Sequence, residues 1–400
     1  MKDNKKTYNL GSLSGLIISI GIGFLIYFVL SRINNVSSWL DYNTIVSSAG
    51  DNLLYKLIWS IMNFTEPEFY AGLFASLGLI LGGIIAWRLD IKNSKLAGFN
   101  ICYGTTLFPW VLASQLLSLF LAVFVFDFTR FFQNGEYTWL PTFISVVAAP
   151  PAIILIYGPS IVNLLTGSFL GGIMSFPVAF WIMNNIMPVL GVPVADSSLF
   201  AMTITGILIA AICKTLPWIK KIPLKPLNRG VKSQEQTLKE MEKPLWFVRR
   251  VLADFTEPQF YGNEIAGLFL IIGVCLDWIL NVNHGAYASG AIPAIILSQF
   301  IASAVGIFLY FNKYVERGWY ATFVPVVSAG PACVLMFGSS IGVAVTAGVL
   351  GAIIGAPLAE YFCDALPDDY HPTIGNVTSM AVTTIVVSMI IKVLPWFSIS

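Results

Sequence analysis

Two carboxylates stand at matched places in this chain. Glu66 lies in Phe-Thr-Glu-Pro-Glu-Phe-Tyr (64–70), and Glu257 lies in Phe-Thr-Glu-Pro-Gln-Phe-Tyr (255–261), 191 residues further on. An acid in apolar surroundings can carry a proton, bind a cation or sit at a helix N-terminus. Thr65 with Glu68, and Thr256 with Gln259, have the S/T-x-x-E/Q spacing of a capping box. Proline then falls in the first turn, where a missing N–H costs nothing. This spacing predicts a helix start and accounts for the whole motif except Glu66 and Glu257. For those two, a structural place at the helix dipole competes with a functional pair, one acid near each membrane face.

Other acids in apolar segments are few. Glu264 and Asp277 lie 13 residues apart in one segment, roughly 20 Å along a helix, so both fall within or at the rims of a ~30 Å hydrocarbon core. Their sequence counterparts are Leu73 and Ala86, and the counterpart of Glu360 is Phe180. Acids that break the symmetry of a repeat are candidate proton or cation sites. A position at a span end is the plainer explanation for Asp277 and Glu360. The candidate ion-coupling set is therefore Glu66, Glu257, Glu264, Asp277 and Glu360.

These residues sit in a chain of 400 residues that is 56% hydrophobic and 11% charged, with a mean hydropathy of +0.78. A soluble domain carries about 25% charged residues. No charged side chain occurs between Glu136 and Asp196, whereas a span needs only ~20 apolar residues. An all-α polytopic membrane protein follows, with the lipid bilayer as its first partner. The net charge of +1 argues against a nucleic-acid partner. The first apolar run, 10–30, is too long for a signal-peptide core and is expected to remain as a span. Cys102, Cys213, Cys275, Cys333 and Cys363 form no C-x-x-C pair, and His284 and His371 are the only histidines. The cysteines read as packed thiols, and neither a metal site nor another cofactor is expected. No P-loop, H-E-x-x-H or G-x-S-x-G motif occurs, so no enzyme chemistry is expected.

The elements that must position the acids come in duplicate. "WLPTFISVVAAPPAI" (139–153) matches "WYATFVPVVSAGPAC" (319–333), "FLGGIMSFPVA" (169–179) matches "VLGAIIGAPLA" (349–359), and "KTLPWI" (214–219) matches "KVLPWF" (392–397). Such separated blocks mark an internal repeat. The expected organisation is an N-terminal span with an external loop (1–50), a first repeat (51–219), a basic cytoplasmic linker (220–243) and a second repeat (244–400). Each repeat holds five apolar segments, near 68–88, 104–127, 140–158, 161–186 and 198–219, then 260–280, 288–311, 320–338, 341–363 and 376–396. Stretches 51–63 and 244–255 read as amphipathic helices at the interface.

Five spans per repeat and none in the linker make the second repeat inverted, with about 11 transmembrane helices in all. Placing the N-terminus in the cytoplasm leaves eighteen basic residues inside and four outside, as the positive-inside rule requires. A multi-pass protein of the cytoplasmic membrane is expected.

The third segment of each repeat is interrupted, at Ala149-Pro150-Pro151 and at Ala329-Gly330-Pro331, with Ser328 beside the second break. Proline frees carbonyls at membrane depth, which is tolerated where protein or a water-filled cavity covers them. Paired interrupted helices in inverted repeats build the midplane site of secondary transporters. The expected function is secondary active transport of a small solute by alternating access, with a proton or cation as coupling ion. The seven residues at the breaks are the expected substrate contacts, and a neutral or zwitterionic solute suits a site without a buried cation. The alternatives are a membrane subunit or lipid-modifying component of a larger complex, or a channel. Glycines of the fourth segments (Gly167, Gly171, Gly172, Gly348, Gly351, Gly355) are expected to pack helices closely.

Overall fold

The computed structural model describes residues 10–33, 37–224 and 234–394. Lys2, Lys5 and Lys6, the middle of the linker (225–233) and the end of the chain lie outside the described residues. Among the described residues every regular element is a helix, and eight helices are long and apolar enough to cross a membrane.

The chain opens with α1 (Leu13–Leu30), capped by Ser12, whose Oγ accepts from Gly15 N. Next come two short helices, α2 (Tyr42–Ala49) and α3 (Leu53–Met62), then α4 (Leu73–Ile91) and α5 (Phe108–Phe120), which continues as a π turn over Leu121–Val125. The interrupted segment is α6 (Ile144–Val147) and α7 (Ala149–Tyr157). It is followed by α8 (Ile161–Asn185), the short α9 (Met187–Leu190) and α10 (Asp196–Thr215). Then come α11 (Gln234–Met241), α12 (Pro244–Asp254), α13 (Glu264–Leu280), α14 (Ile292–Leu309) and α15 (Phe311–Arg317). A 3-10 turn (Val324–Val327) leads into α16 (Ala329–Phe337), and α17 (Ile341–Asp364) and α18 (Thr373–Val393) complete the order. Helices α2, α11 and α15 lie outside the segments expected from hydropathy, because they are short and mixed in polarity. Stretches 51–63 and 244–255 are helical, as α3 and α12, and each buries one face: Trp59 and Met62 in the first, Phe247 and Val251 in the second.

Helices α4 and α13 form the most extensive pair. Glycine lets their backbones meet. A Cβ added at Gly78 would strike the Phe269 carbonyl oxygen, and one at Gly273 would strike that of Phe74. Around this pair the same neighbours recur: α5 with α8 and α14 with α17, α7 with α8 and α16 with α17, α8 with α10 and α17 with α18. Helices α10 and α18 then pack against each other. Helix α14 is almost wholly buried, whereas α1 leaves Leu13, Ile17, Leu25 and Phe28 exposed, an apolar surface suited to lipid.

Both interruptions expected from sequence are present. Ala148 (φ −101°, ψ −114°) ends α6, and Ser328 (φ −146°, ψ −97°) ends the 3-10 turn before α16. The fourth-segment glycines pack closely. A Cβ at Gly171 would strike Pro150, and one at Gly348 would lie 2.7 Å from the Ser298 carbonyl oxygen.

Substituting Gly273 by Val should force α4 and α13 apart and destabilise the fold by about 1–3 kcal/mol. It should lower the thermal unfolding midpoint in detergent. Gly21→Ala, where a Cβ meets nothing within 4 Å, should not. Equal midpoints for the two variants would show that the α4–α13 contact is not tight.

Candidate functional site

The two Phe-Thr-Glu-Pro motifs are not helix starts. Helix α4 begins at Leu73 after Gly72, and α13 begins at Glu264, where the Asn263 side chain accepts from Ile265 N and Ala266 N. Each motif is instead a closed loop pinned by its threonine. The Thr65 carbonyl accepts from Tyr70 N (3.0 Å) and Ala71 N (3.3 Å), and its hydroxyl accepts from Gly72 N (3.2 Å). The Thr256 carbonyl accepts from Tyr261 N (3.0 Å) and Gly262 N (3.2 Å), and its hydroxyl accepts from Asn263 N (3.0 Å). Phe69 (φ 64°) and Phe260 (φ 66°) take left-handed backbone to close the loops. Such a conformation strains a bulky residue by about 1–2 kcal/mol and persists only where the surroundings hold it.

The loops meet back to back. Gln259 Nε2 donates to Glu68 Oε1 (2.8 Å) and Oε2 (3.0 Å), and to the Phe64 carbonyl (2.8 Å). A glutamine from each half braces the junction. Gln299 Nε2 donates to the Glu68 carbonyl (3.1 Å) while its Oε1 accepts from the Tyr70 hydroxyl (2.5 Å). Gln115 Nε2 donates to the Gln259 carbonyl (3.1 Å) while its Oε1 accepts from the Tyr261 hydroxyl (3.0 Å). Glu68, Gln115, Gln259 and Gln299 are all fully buried.

With Glu68 and Gln259 turned to the junction, Glu66 and Glu257 face the other way, into a cavity enclosing roughly 710 Å³ of space free of protein atoms. Its walls come as sequence counterparts. Phe69 and Phe260, Tyr103 and Tyr287, Phe143 and Phe323, Val147 and Val327 line it from the loops and the interrupted segments. Ser198 and Asn376, with Met202 and Met380, line it from α10 and α18. The Trp139 indole N–H donates to Glu66 Oε1, and the Tyr287 phenol stands beside the same carboxyl. On the other side the Trp319 indole N–H donates to Glu257 Oε1 (3.1 Å) and the Tyr103 hydroxyl to Oε2 (3.0 Å).

The two carboxyls differ in charge balance. Arg250 Nη2 donates to Glu257 Oε1 at 2.6 Å and to Asp254 Oδ1 at 2.7 Å, and all three side chains are buried. In the first half Trp59 stands where the second has Arg250, and Asn63 where it has Asp254. There Trp59 Nε1 donates to Thr142 Oγ1 (3.1 Å), which donates to Asn63 Oδ1 (2.7 Å). Glu66 is thus without an ion pair among the described residues, and its buried Oε2 has no partner of hydrogen-bond geometry. His371 also reaches the cavity wall and packs edge-on to Phe260 at 5.5 Å. Its apolar surroundings push the imidazole below its usual pKa, so it is neutral at pH 7.

No family model matches the chain, and no curated protein matches it.

The structure sorts the residues singled out from sequence. Glu66 and Glu257 come together on one cavity, while Glu264, Asp277 and Glu360 lie away from it, each with its own partners. Glu264 Oε1 accepts from Arg249 and Oε2 from Phe99 N at 2.8 Å. Asp277 caps α4 by accepting from Phe74 N (3.0 Å) and Ala75 N (2.8 Å), next to His284, whose Nε2 accepts from Leu73 N. Glu360 pairs with Lys313 and Arg317 and accepts from the Tyr320 hydroxyl.

At the breaks, Val147 and Val327 reach the cavity from just before the interruption. Ala149 lines a smaller space beside it. Pro150, Pro151, Ser328, Ala329, Gly330 and Pro331 are buried in packing, and Ser328 Oγ donates to the Val324 carbonyl at 2.6 Å. Sequence reasoning missed Tyr103, Tyr287 and Trp139. The tyrosines fall between the aligned blocks, where the signal available was a Tyr followed six residues later by Pro in both copies.

Arg250→Met should destabilise the protein by about 3–5 kcal/mol, because Asp254 and Glu257 would be left buried without a cation. Glu66→Gln removes no ion pair and should change stability by at most about 1 kcal/mol. Denaturant or thermal unfolding in detergent separates the two. Similar losses for both variants would contradict this charge balance.

Proposed function

We propose that this chain is a secondary active transporter for a small solute, working by alternating access, with the cavity between Glu66 and Glu257 as its binding site. The proposed architecture has eleven spans. They are the eight long helices, α13 (17 residues, about 25 Å at 1.5 Å per residue) and the two interrupted segments. In this reading the halves are inverted repeats related by a two-fold axis that runs between the motif loops and between α10 and α18. The N-terminus is cytoplasmic, and a proton or cation is the coupling ion.

One observation carries the reading. The central cavity is flanked by two further spaces that share the sequence-matched pairs Ala152 with Ala332 and Ile156 with Met336 in their walls, and the two are unequal. One encloses roughly 960 Å³ and is lined by Ala332, Leu335 and Met336 of α16 with Val192–Ala195. It shares Phe69, Trp139 and Tyr287 with the cavity. The other encloses roughly 370 Å³ and is lined by Ala152, Ile153 and Ile156 of α7 with Thr373 and Ile374. It shares Met202, His371 and Val377 with the cavity. Under the proposed topology the wide space leads outward and the narrow one inward. A central site with one vestibule wide and its counterpart narrow is the geometry of an alternating-access state. In a conducting channel both would be wide at once.

Cysteines placed at Ile156 and Met336, in a background lacking the five native cysteines, should react with membrane-impermeant thiol reagents from opposite sides. Any condition that raises the reactivity of one should lower that of the other. Simultaneous reactivity of both would replace transport by a channel. Cysteines at Asn134 and Gln236 should likewise label from opposite sides in intact cells. Same-side labelling would remove the eleven-span topology.

A further inference from the structure

We propose that the solute is an organic cation, a protonated amine or a quaternary ammonium, held at Glu66 between aromatic walls; this rests on the cavity being the transport site.

The charge of the cavity points one way. Glu66 is 2% exposed, its Oε2 faces no donor of hydrogen-bond geometry, and no ion pair neutralises it among the described residues. A buried carboxyl without a counter-charge either holds a proton or meets a cation, and a cationic ligand that displaces the proton restores the charged form. Glu257 differs in having a cation beside it, Arg250 at 2.6 Å, which it shares with Asp254. No lysine or arginine lines the cavity, and His371 is there as a neutral ring. An anionic solute therefore has nothing to bind, and a neutral one would leave Glu66 as it stands.

The walls decide which cation. Trp139, Tyr287, Tyr103, Phe69 and Phe260 surround the carboxyls with ring surface. Trp139 lies edge-to-face on Tyr287, and Trp319 on Tyr103, both at 6.4 Å between centroids. Aromatic faces attract ammonium groups, and most strongly where water is excluded. A hard inorganic ion wants about six oxygen ligands. The described residues contain no group of three or more His, Cys, Asp or Glu able to hold one. The rings and the single unpaired carboxyl together fit the chemistry of a substituted ammonium.

The test is equilibrium binding to the full-length, detergent-purified protein. The probes are choline, tetraethylammonium and phenethylamine, with 3,3-dimethylbutan-1-ol as the uncharged isostere of choline. At least one cation should bind, and the isostere should bind about tenfold more weakly or worse. Glu66→Gln and Trp139→Ala should each weaken the cation about tenfold or more, Glu66→Asp should retain part of the affinity, and Glu264→Gln should leave it unchanged. Thermal midpoints of the variants distinguish loss of the site from loss of the fold. The proposal is overturned if no cation binds, if the isostere binds as well as choline, or if folded Glu66→Gln binds as the wild type does. Its fate is separable from that of the transport reading. Joint labelling of the two vestibule cysteines with choline still bound would remove transport and leave the cation site. Alternating labelling without cation binding would do the reverse.

Discussion

The hydrogen-bonded pair Glu68–Gln259 is the joint on which the rest of the molecule depends. It ties the two motif loops back to back in a fully buried junction, and α4 and α13 start only a few residues beyond it. Under the two-fold arrangement proposed here, a side chain at the axis meets its own counterpart. Two glutamates would set like charges together, and two glutamines would leave amide groups competing for the same donors and acceptors. An acceptor on one side and a donor on the other resolves the conflict. This explains why a motif otherwise kept in both copies differs here, Glu68 against Gln259. Because the central residues turn to the joint, Glu66 and Glu257 must turn to the cavity.

The second departure from symmetry lies one shell further out and is electrostatic. In the first half Trp59, Thr142 and Asn63 form a neutral hydrogen-bonded set, whereas in the second Arg250 pairs with both Asp254 and Glu257, with Asp254 accepting from Thr322 at 2.7 Å and Ser303 at 2.6 Å. Thr142 and Thr322 are counterparts, so one scaffold carries two electrostatic solutions. The half with the arginine holds one cation between two acids. The half with the tryptophan leaves Glu66 without a cation beside it among the described residues. The cavity is lined by sequence counterparts but differs in charge from one side to the other.

Much of the architecture was legible in the sequence, because its signals are long or repeated. Apolar runs set the helices, the Pro-containing blocks located both breaks, and the duplicated motif pointed to the two acids that share the cavity. The capping-box reading failed at Thr65 and Thr256 because S/T-x-x-E/Q spacing also suits a loop whose threonine binds N–H groups five to seven residues on. Left-handed backbone at Phe69 and Ala71, and at Phe260 and Gly262, separates the two cases, and the phenylalanines and Ala71 give no hint of it. Glu264 and Glu360 look unbalanced in a linear reading because their partners lie elsewhere in the chain: Arg249 on α12, and Lys313 and Arg317 on α15. A span-by-span reading cannot see a salt bridge between elements. The breaks drew attention to freed carbonyls, yet the chain fills them with its own contacts, and the cavity opens one residue earlier, at Val147 and Val327.

The interrupted helices then serve as wedges rather than as ligands. Helix α7 presses Pro150 on Gly171 of α8, and the matching segment presses Pro325 on Gly351 of α17. Beyond the break, the far ends of α7 and α16 each wall one of the flanking spaces, through Ile156 and Met336. Glycine contacts of this kind, between a rigid proline and a helix surface lacking Cβ atoms, hold shape without interlocking side chains. The flanking spaces and the Glu68–Gln259 joint are thus built from different residues. Under the transport reading proposed above, the unequal spaces of roughly 960 and 370 Å³ are one of two arrangements of the same parts, with the cavity between them in both.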